Sequence, residues 1–326
     1  VGAEDGALWL RAWEPADAPV VAGLLDLDAD PLWVAQCHAL HGPPRDGERW
    51  RRTLVAVMGD RDGRVVGAAT VARNWVHPGQ YSCAVDVHRA WRRQGVGRRL
   101  LDGVREVRPE TLPLMSKLRP SNAAAMGFLA AAGGGVRQRS PGQVVDVDDH
   151  RVLAWAERHR AAAAHSGFPG LQTESLDRLD AEQLAQAFAE QYLWVHASWS
   201  PVPTGAPRRA LESVAAATAA EADRGCSSGV WWNGRLIAMV LVFPAEVGWE
   251  VVAETVVRDV AAAGVPPQLT GVDVLRGALA RTIAEVAGRG GGLLELDGHV
   301  DDPHLQSALD GLPLAQLRPL LLVQAP

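Results

Sequence analysis

Lysine is almost missing from this chain. Lys117 is the one lysine among 32 basic residues, set against 38 acidic ones for a formal charge of −6. Arginine carries the remaining positive charge, and the alanine-rich, arginine-rich composition points to a GC-rich bacterial genome. The acidic balance argues against a broad nucleic-acid-binding surface, so no nucleic acid is expected as a partner. Cysteine is scarce too. Cys37, Cys83 and Cys226 are widely spaced and odd in number, which excludes a disulfide framework and a CxxC metal site and leaves buried small hydrophobes. Long apolar runs are absent: the longest clean one, Leu236 to Phe243, falls far short of the roughly 18 residues a membrane span needs. No membrane partner is therefore expected. Val1-Gly2-Ala3-Glu4-Asp5 is neither basic nor followed by an apolar stretch. No secretory signal is visible, and the cytoplasm is the default location.

What remains is an ordinary globular composition, 48% hydrophobic and 21% charged, and the 326 residues suit two domains. The first half alternates strands and helices. Leu8 to Trp13 reads as a strand, and Asp17 caps a helix through Val20, Val21, Leu24 and Leu25. Thr53 to Met58 and Arg64 to Ala72 flank the turn Gly59 to Gly63, and Gln80 to Val87 is a further strand. A helix from about Gly95 to Val107, a strand Leu112 to Leu118 and a helix Asn122 to Ala132 follow, with strands near Val136 and Val144 to Val147. Residues 151–170 read as a helical connector ending in Phe168-Pro169-Gly170. Beyond it the order recurs. Asn233-Gly234 is a strong hairpin signal between Gly229 to Trp232 and Leu236 to Phe243. Glycine turns at 63 and 79 recur at 234 and 248, close to one common offset, which suggests an internal duplication.

The chemistry concentrates in Val85-Asp86-Val87-His88-Arg89-Ala90-Trp91-Arg92-Arg93-Gln94-Gly95-Val96-Gly97-Arg98-Arg99. A strand runs through a glycine-bearing turn directly into a helix. The exposed amides of a helix start, the positive end of its dipole and the arginines suit a pyrophosphate. Gly95 and Gly97 are expected to let phosphates approach the backbone. A dinucleotide fingerprint is excluded because Leu100 replaces its third glycine, and no P-loop lysine follows.

Arg92-Arg93-Gln94-Gly95-Val96-Gly97 resembles the R/Q-x-x-G-x-G/A loop of the GNAT superfamily of acyl-CoA-dependent N-acyltransferases. Asn122-Ala123-Ala124-Ala125-Met126-Gly127-Phe128-Leu129, with Gly133-Gly134 behind it, is similar to the Asn-led helix of the same superfamily. The likeness spans about residues 7 to 148. It implies that the amides of Gln94, Gly95, Val96, Gly97 and Arg98, flanked by Arg92 and Arg93, bind the pyrophosphate of acetyl-CoA or another acyl-CoA cosubstrate. It also implies that the main chain of Val85 and Val87 pairs with the pantetheine arm, with Asn122 and Phe128 beside it. Three positions depart from the pattern: Leu129 replaces the usual tyrosine acid, Gly134 the usual phenylalanine and Arg89 a common proline. The loss of the tyrosine weakens the proton supply to the leaving thiolate without removing the reaction.

Tyr81 shares a strand face with Cys83, Val85 and Val87 by alternation, at a position where family members place a catalytic carboxylate. It is the first candidate to relay a proton, with Ser116 a further one. Asp86 turns to the opposite face, and His77 sits in a turn. The second half lacks the cradle, since Arg258 to Pro267 has no such motif and two prolines remove amide donors. Tyr192 to Pro201 with Trp231, Trp232, Trp249, Glu250 and Glu254 offers material for an acceptor pocket, or plain core packing. His299, Asp301, Asp302 and His304 read as a solvated turn, and no metal is expected.

The expected fold class is α/β (α+β), with two tandem GNAT-like domains, each a mixed central sheet flanked by helices. The expected division is 1–150 with the acyl-CoA signature, 151–170 as linker, and 171–326 as a degenerate domain shaping the acceptor site. The resemblance implies transfer of an acetyl or other short acyl group to the amine of a small molecule by direct attack. Specialised metabolism or antibiotic modification fits the composition. A non-catalytic acyl-CoA sensor or scaffold is the alternative, and altered acyl-CoA chemistry a third.

Overall fold

Valine, alanine and threonine dominate three consecutive runs of the first half, and these form the centre of its sheet. The computed structural model describes residues 7–25, 30–60, 62–164 and 167–326. Val1 to Asp5, Arg61 of the expected turn and residues 165–166 of the expected connector lie outside the described residues. The first elements are β1 (Leu8–Ala12), α1 (Ala18–Ala22), α2 (Pro31–Leu40), β2 (Arg51–Met58), β3 (Arg64–Arg73) and β4 (Tyr81–Val87). After them come α3 (Val96–Val107), β5 (Leu114–Leu118), α4 (Ala123–Ala131) and β6 (Gly135–Ser140).

The second set begins with β7 (Gln143–Asp146), α5 (His150–Ala164), β8 (Leu171–Ser175), α6 (Ala181–Val195), α7 (Ala206–Glu221) and β9 (Ser228–Trp232). It continues with β10 (Arg235–Pro244), β11 (Trp249–Thr255), α8 (Gly271–Gly288), β12 (Leu293–Leu296), α9 (Leu305–Ala308), β13 (Gln316–Leu317) and β14 (Leu320–Ala325). Two mixed seven-stranded sheets result, ordered β1-β2-β3-β4-β5-β14-β6 and β13-β7-β12-β11-β10-β9-β8.

One compact unit comprises Val1–Arg137 and Leu321–Pro326, and the other comprises Gln138–Leu320. The sequence division falls elsewhere, for two physical reasons. Within the expected connector, α5 buries Val152, Trp155 and Ala156 in the core of the second unit, at the three- and four-residue spacing of a helix face. At the chain's far end, Leu321, Val323 and Ala325 are buried, and their strand β14 pairs antiparallel with β5 from Leu321↔Leu118 to Ala325↔Leu114. Neither β13 nor β14 is among the expected elements, and α2 is likewise new, whereas α9 follows the helix start that Asp302-Pro303 offers in the sequence.

The two sheet faces of the first unit differ. α3 packs Val96, Leu100, Leu101 and Val104 against Ala56, Val66, Ala69, Val71, Tyr81 and Cys83. The other face carries Val55, Val57 and Ala68 beneath Val21 and Leu24 of the α1 region, together with the polar Thr53, Thr70 and Asp86, all buried. The duplication is legible in the registers. Asp86↔Ala68 and Val87↔Gly67 in the first sheet correspond to Glu254↔Met239 and Thr255↔Ala238 in the second. In both, an acid one residue from the strand end is buried and accepts the next residue's N–H, Val87 N to Asp86 Oδ1 at 3.0 Å and Thr255 N to Glu254 Oε1 at 2.7 Å.

Because β14 supplies one whole edge of β5, deleting residues 320–326 is expected to abolish amide hydrogen-exchange protection of Leu114–Leu118 while β11 stays protected.

Candidate active site

β4 and β5 run parallel, but they pair only at Tyr81↔Leu114 and Ser82↔Met115. β4 then continues to Val87 and β5 to Leu118 without further pairing, so the strands diverge into a slot. Tyr81 N donates to Pro113 O at 2.9 Å, towards β5, and His88 N to Val66 O at 2.9 Å, towards β3. Alternation therefore turns the main chains of Cys83, Val85 and Val87 towards the slot. Val87 is already satisfied there. Its N–H reaches Asp86 Oδ1 at 3.0 Å, and its carbonyl accepts from Arg92 Nε at 2.8 Å. Val85 is left as the peptide group that offers an extended chain both a donor and an acceptor.

Beyond β4, Arg93 has φ 65° and Gly95 φ 82°. Left-handed residues spaced in this way curl successive amides inward, the geometry of an anion nest. Gly95 is the N-cap of α3 and gives it no side-chain cap, and the first turn carries no acid. The amides there, flanked by exposed Arg92, Arg93 and Gln94, thus keep their hydrogen-bonding capacity for an outside anion. The two glycines act by different means. Gly95 supplies the positive φ, with open space where a Cβ would stand, whereas a Cβ at Gly97 would lie 3.3 Å from the Phe128 ring and 3.6 Å from the Val87 side chain. Gly97 is therefore a close-packing position, which its place in the motif does not reveal.

Asn122 is the N-cap of α4, its Oδ1 accepting Ala125 N at 3.0 Å. Leu129, in the place of the expected tyrosine, is buried with Leu118, Leu321 and Val323. Ser116 Oγ accepts from Gln36 Nε2 at 3.0 Å, on the strand that forms the far side of the slot. Tyr81 shares the α3-side core with Cys83, as alternation predicts, and is 0% exposed. Its ring packs 5.7 Å from that of Trp50, and its hydroxyl has no hydrogen-bond partner among the described residues. Such a hydroxyl has no contact through which to hand a proton to an acceptor. Burial pushes the nearby Cys83 thiol up to about 12 and raises the Cys37 thiol as well, so both are inert neutral side chains, in keeping with their sequence reading.

Sequence reasoning missed α2. Asp30 accepts Leu32 N at 2.9 Å with Pro31 following, a helix-start signal present in the sequence. At the helix end His41 Nδ1 lies 2.8 Å from Thr70 Oγ1, which lies 2.9 Å from Thr53 Oγ1; that hydroxyl donates to Gly42 O at 2.8 Å. The fixed direction of the last bond makes Thr70 the donor to Thr53 and His41 Nδ1 the donor to Thr70. Burial lowers the His41 pKa to about 4, and the imidazole is neutral.

The second unit shows what closes the equivalent places. β11 and β12 pair from Trp249↔Leu294 to Val251↔Leu296, where β12 ends, and at the far end of β11 Thr255 O accepts from Trp194 Nε1 at 3.1 Å. Glu254 binds His304 Nδ1 at 2.8 Å and its N–H at 3.1 Å, and the His304 ring lies against Gly271 in the first turn of α8. That helix start is self-capped: Thr270 and Asp273 form a capping box, with Asp273 Oδ2 accepting Thr270 N at 3.0 Å. An acid there repels an anion. His299 donates its N–H to Asp302 at 2.6 Å, and Asp302 is 9% exposed, so the loop turns this carboxylate inward while Val300, Asp301 and Pro303 stay at the surface. Tyr192, His196, Trp199 and His299 form a chain of ring contacts in the same unit. Among the described residues no group of three or more metal-ligating side chains is suitably placed.

The burial of Tyr81 has a measurable consequence. Tyr81→Phe removes an unsatisfied hydroxyl of the kind that costs about 1–3 kcal/mol, so the thermal midpoint is expected to hold or rise, with turnover unchanged in an acceptor assay. A large loss of turnover would restore Tyr81 to the chemistry.

Residues 27–133 match the family model described as Acetyltransferase (GNAT) family. No curated protein matches the chain significantly. Among solved structures, a GCN5-related N-acetyltransferase from Sphaerobacter thermophilus aligns over 98% of this chain and 96% of its own at 17% identity, with a TM-score of 0.58. A tandem GNAT protein from the clavulanic acid biosynthesis pathway aligns over 98% of both chains at 17% identity and a TM-score of 0.55. A GCN5-related glucosamine N-acetyltransferase region of a fungal multi-domain GH3 beta-N-acetylglucosaminidase aligns over 98% of this chain and 38% of that one, at 13% identity and a TM-score of 0.64. At these identities the structures attest the fold. Residues 27–133 of the first unit thus match the GNAT acetyltransferase family, and the chain as a whole has the fold of the tandem GNAT structures.

Proposed function

We propose that this protein transfers an acetyl or other short acyl group from acyl-CoA to the amine of a small molecule, by direct attack within a ternary complex. The carrying observation is the pairing of an uncapped, acid-free α3 start with a slot in which, among the described residues, the Val85 peptide group is left to pair with an extended arm. The nest around Gln94 to Arg98 suits the pyrophosphate, and the exposed Arg92 and Arg93 add charge without supplying a covalent group. The Val85 peptide group suits an extended amide-bearing arm. Val87 contributes shape rather than hydrogen bonds, because Asp86 and Arg92 hold its main chain. Asn122 keeps its amide nitrogen as a donor beside the slot, and Phe128 closes over Gly97.

Acyl-CoA supplies the thioester: the amine nitrogen bonds to its carbonyl carbon, the carbon–sulfur bond breaks, the sulfur leaves with the electron pair, and the proton that the nitrogen sheds on becoming an amide passes to solvent water, from which the thiolate is reprotonated. Within the chain, Ser116 is the group best placed to meet a developing thiolate. Its Oγ lone pair is taken by Gln36 Nε2 at 3.0 Å, which turns its own proton outward as a donor. Leu129 offers no acid, so stabilisation of the thiolate by hydrogen bonding replaces outright proton donation. Amino sugars and aminoglycoside-like amines head the acceptor panel, given the acidic charge of the chain and the glucosamine N-acetyltransferase region among its structural neighbours. The missing tyrosine favours a second reading, an acyl-CoA-binding sensor without turnover.

Calorimetric titration with acetyl-CoA is expected to give one site in the wild type and none in Gly97→Trp, whose side chain has no room beside Phe128 and Val87. Binding in neither protein, or equal binding in both, removes the cofactor assignment. Labelled acetyl-CoA with the amine panel then separates the enzyme from the sensor. In the enzyme, Ser116→Ala is expected to lower kcat by about tenfold or more with KM little changed, the loss of a hydrogen bond made to a charge.

A further inference from the structure

Gln36 belongs to no motif, yet it occupies the most unusual position in the first unit. α2 begins with Asp30 paired to Arg119 beyond the end of β5, Arg119 Nε to Asp30 Oδ2 at 3.3 Å, and ends with His41 on Thr70 of β3. It thus crosses β5, β4 and β3 on the sheet face away from α3. Midway, Gln36 Oε1 accepts Lys117 N at 2.9 Å, while Gln36 Nε2 donates to Ser116 Oγ at 3.0 Å and lies 3.4 Å from Lys117 O. Pro113 O takes its hydrogen bond from β4, so alternation along β5 points the main chain of Lys117 into the slot as well. Where β4 would have supplied a peptide group, its pairing has already ended at Ser82↔Met115.

A carboxamide presents the same donor and acceptor as a peptide bond, in the same plane. Gln36 is therefore a one-residue substitute for a strand along the β5 edge. We propose that Gln36 is a positioning residue: by pairing with Lys117 it satisfies β5 apart from β4, so the acyl-CoA arm is directed to the Val85 edge alone and its thioester end arrives beside Ser116. Without it, the exposed main chain of Lys117 seeks another partner. β4 then closes on it, or the arm pairs with it in a competing register. This inference rests on the acyl-CoA reading of the slot.

The test separates the arm from the nucleotide. Acetyl-CoA and the nucleotide half of coenzyme A alone, phosphoadenosine diphosphate, are titrated calorimetrically into the wild type, Gln36→Leu and Gln36→Glu. Gln36→Leu is expected to weaken acetyl-CoA by about tenfold, the weight of one or two neutral hydrogen bonds, and to leave the nucleotide half unchanged. Unchanged nucleotide binding also certifies that the variant is folded. Gln36→Glu is expected to fall between, because a carboxylate still accepts from Lys117 N and no longer donates to Ser116. Equal acetyl-CoA affinity in wild type and Gln36→Leu, or equal weakening of both ligands, overturns the role of Gln36 while the acyl-CoA site stands. Failure of the wild type to bind either ligand overturns the site reading and this inference with it.

Discussion

The early parting of two parallel strands governs the first unit. β4 and β5 share two residue pairs and then separate, and a sheet that opens in its interior must satisfy every backbone group along the opening in some other way. Each answer is specific. Val87 turns to its neighbour's carboxylate and to an arginine, and Lys117 turns to a glutamine from a helix laid across the gap. Val85 turns to no group among the described residues of the first unit, so the reading of the site narrows to that peptide group. β14 on the far side of β5 completes the account, because a strand released from one neighbour depends the more on its other one.

The second unit applies the same plan to the opposite end. Its central strand also outruns its parallel neighbour, but an indole and a buried carboxylate take up the groups at its end, an imidazole bonds that carboxylate, and an aspartate covers the helix start. The acid near the end of the central strand is common to both halves. In one it bonds the adjacent amide at the mouth of the slot, and in the other it anchors the histidine that fills it. Duplication preserved the frame while side chains decided which frame remained open.

Much of this was legible in the sequence. Alternation places β2, β3 and β4, and glycine together with the arginine-rich turn announces the nest, because these are local properties of contiguous residues. Three features escaped for physical reasons. α2 turns the polar Gln36 toward the sheet between the apolar Trp33 and Cys37, so its inner face is mixed and its apolar period is blurred. β14 has strand character, but the sequence does not tell it which sheet to join, and its partner β5 lies far upstream. α5 reads as a connector because its alanines mask the spacing of Val152, Trp155 and Ala156. Tyr81 illustrates the opposite error. Alternation gave its face correctly, and nothing in the sequence revealed that α3 and Trp50 would seal that face completely.

The placement of β14 also sets an order on biosynthesis. Domains that fold during translation ordinarily do so from the amino terminus as each is released. Here the ribosome must emit the entire second unit before β5 meets its antiparallel neighbour, and a contact of such long sequence separation forms late. Until then the nascent first sheet presents β5 as a bare edge, the kind of surface that chaperones cover and that pairs wrongly when crowded.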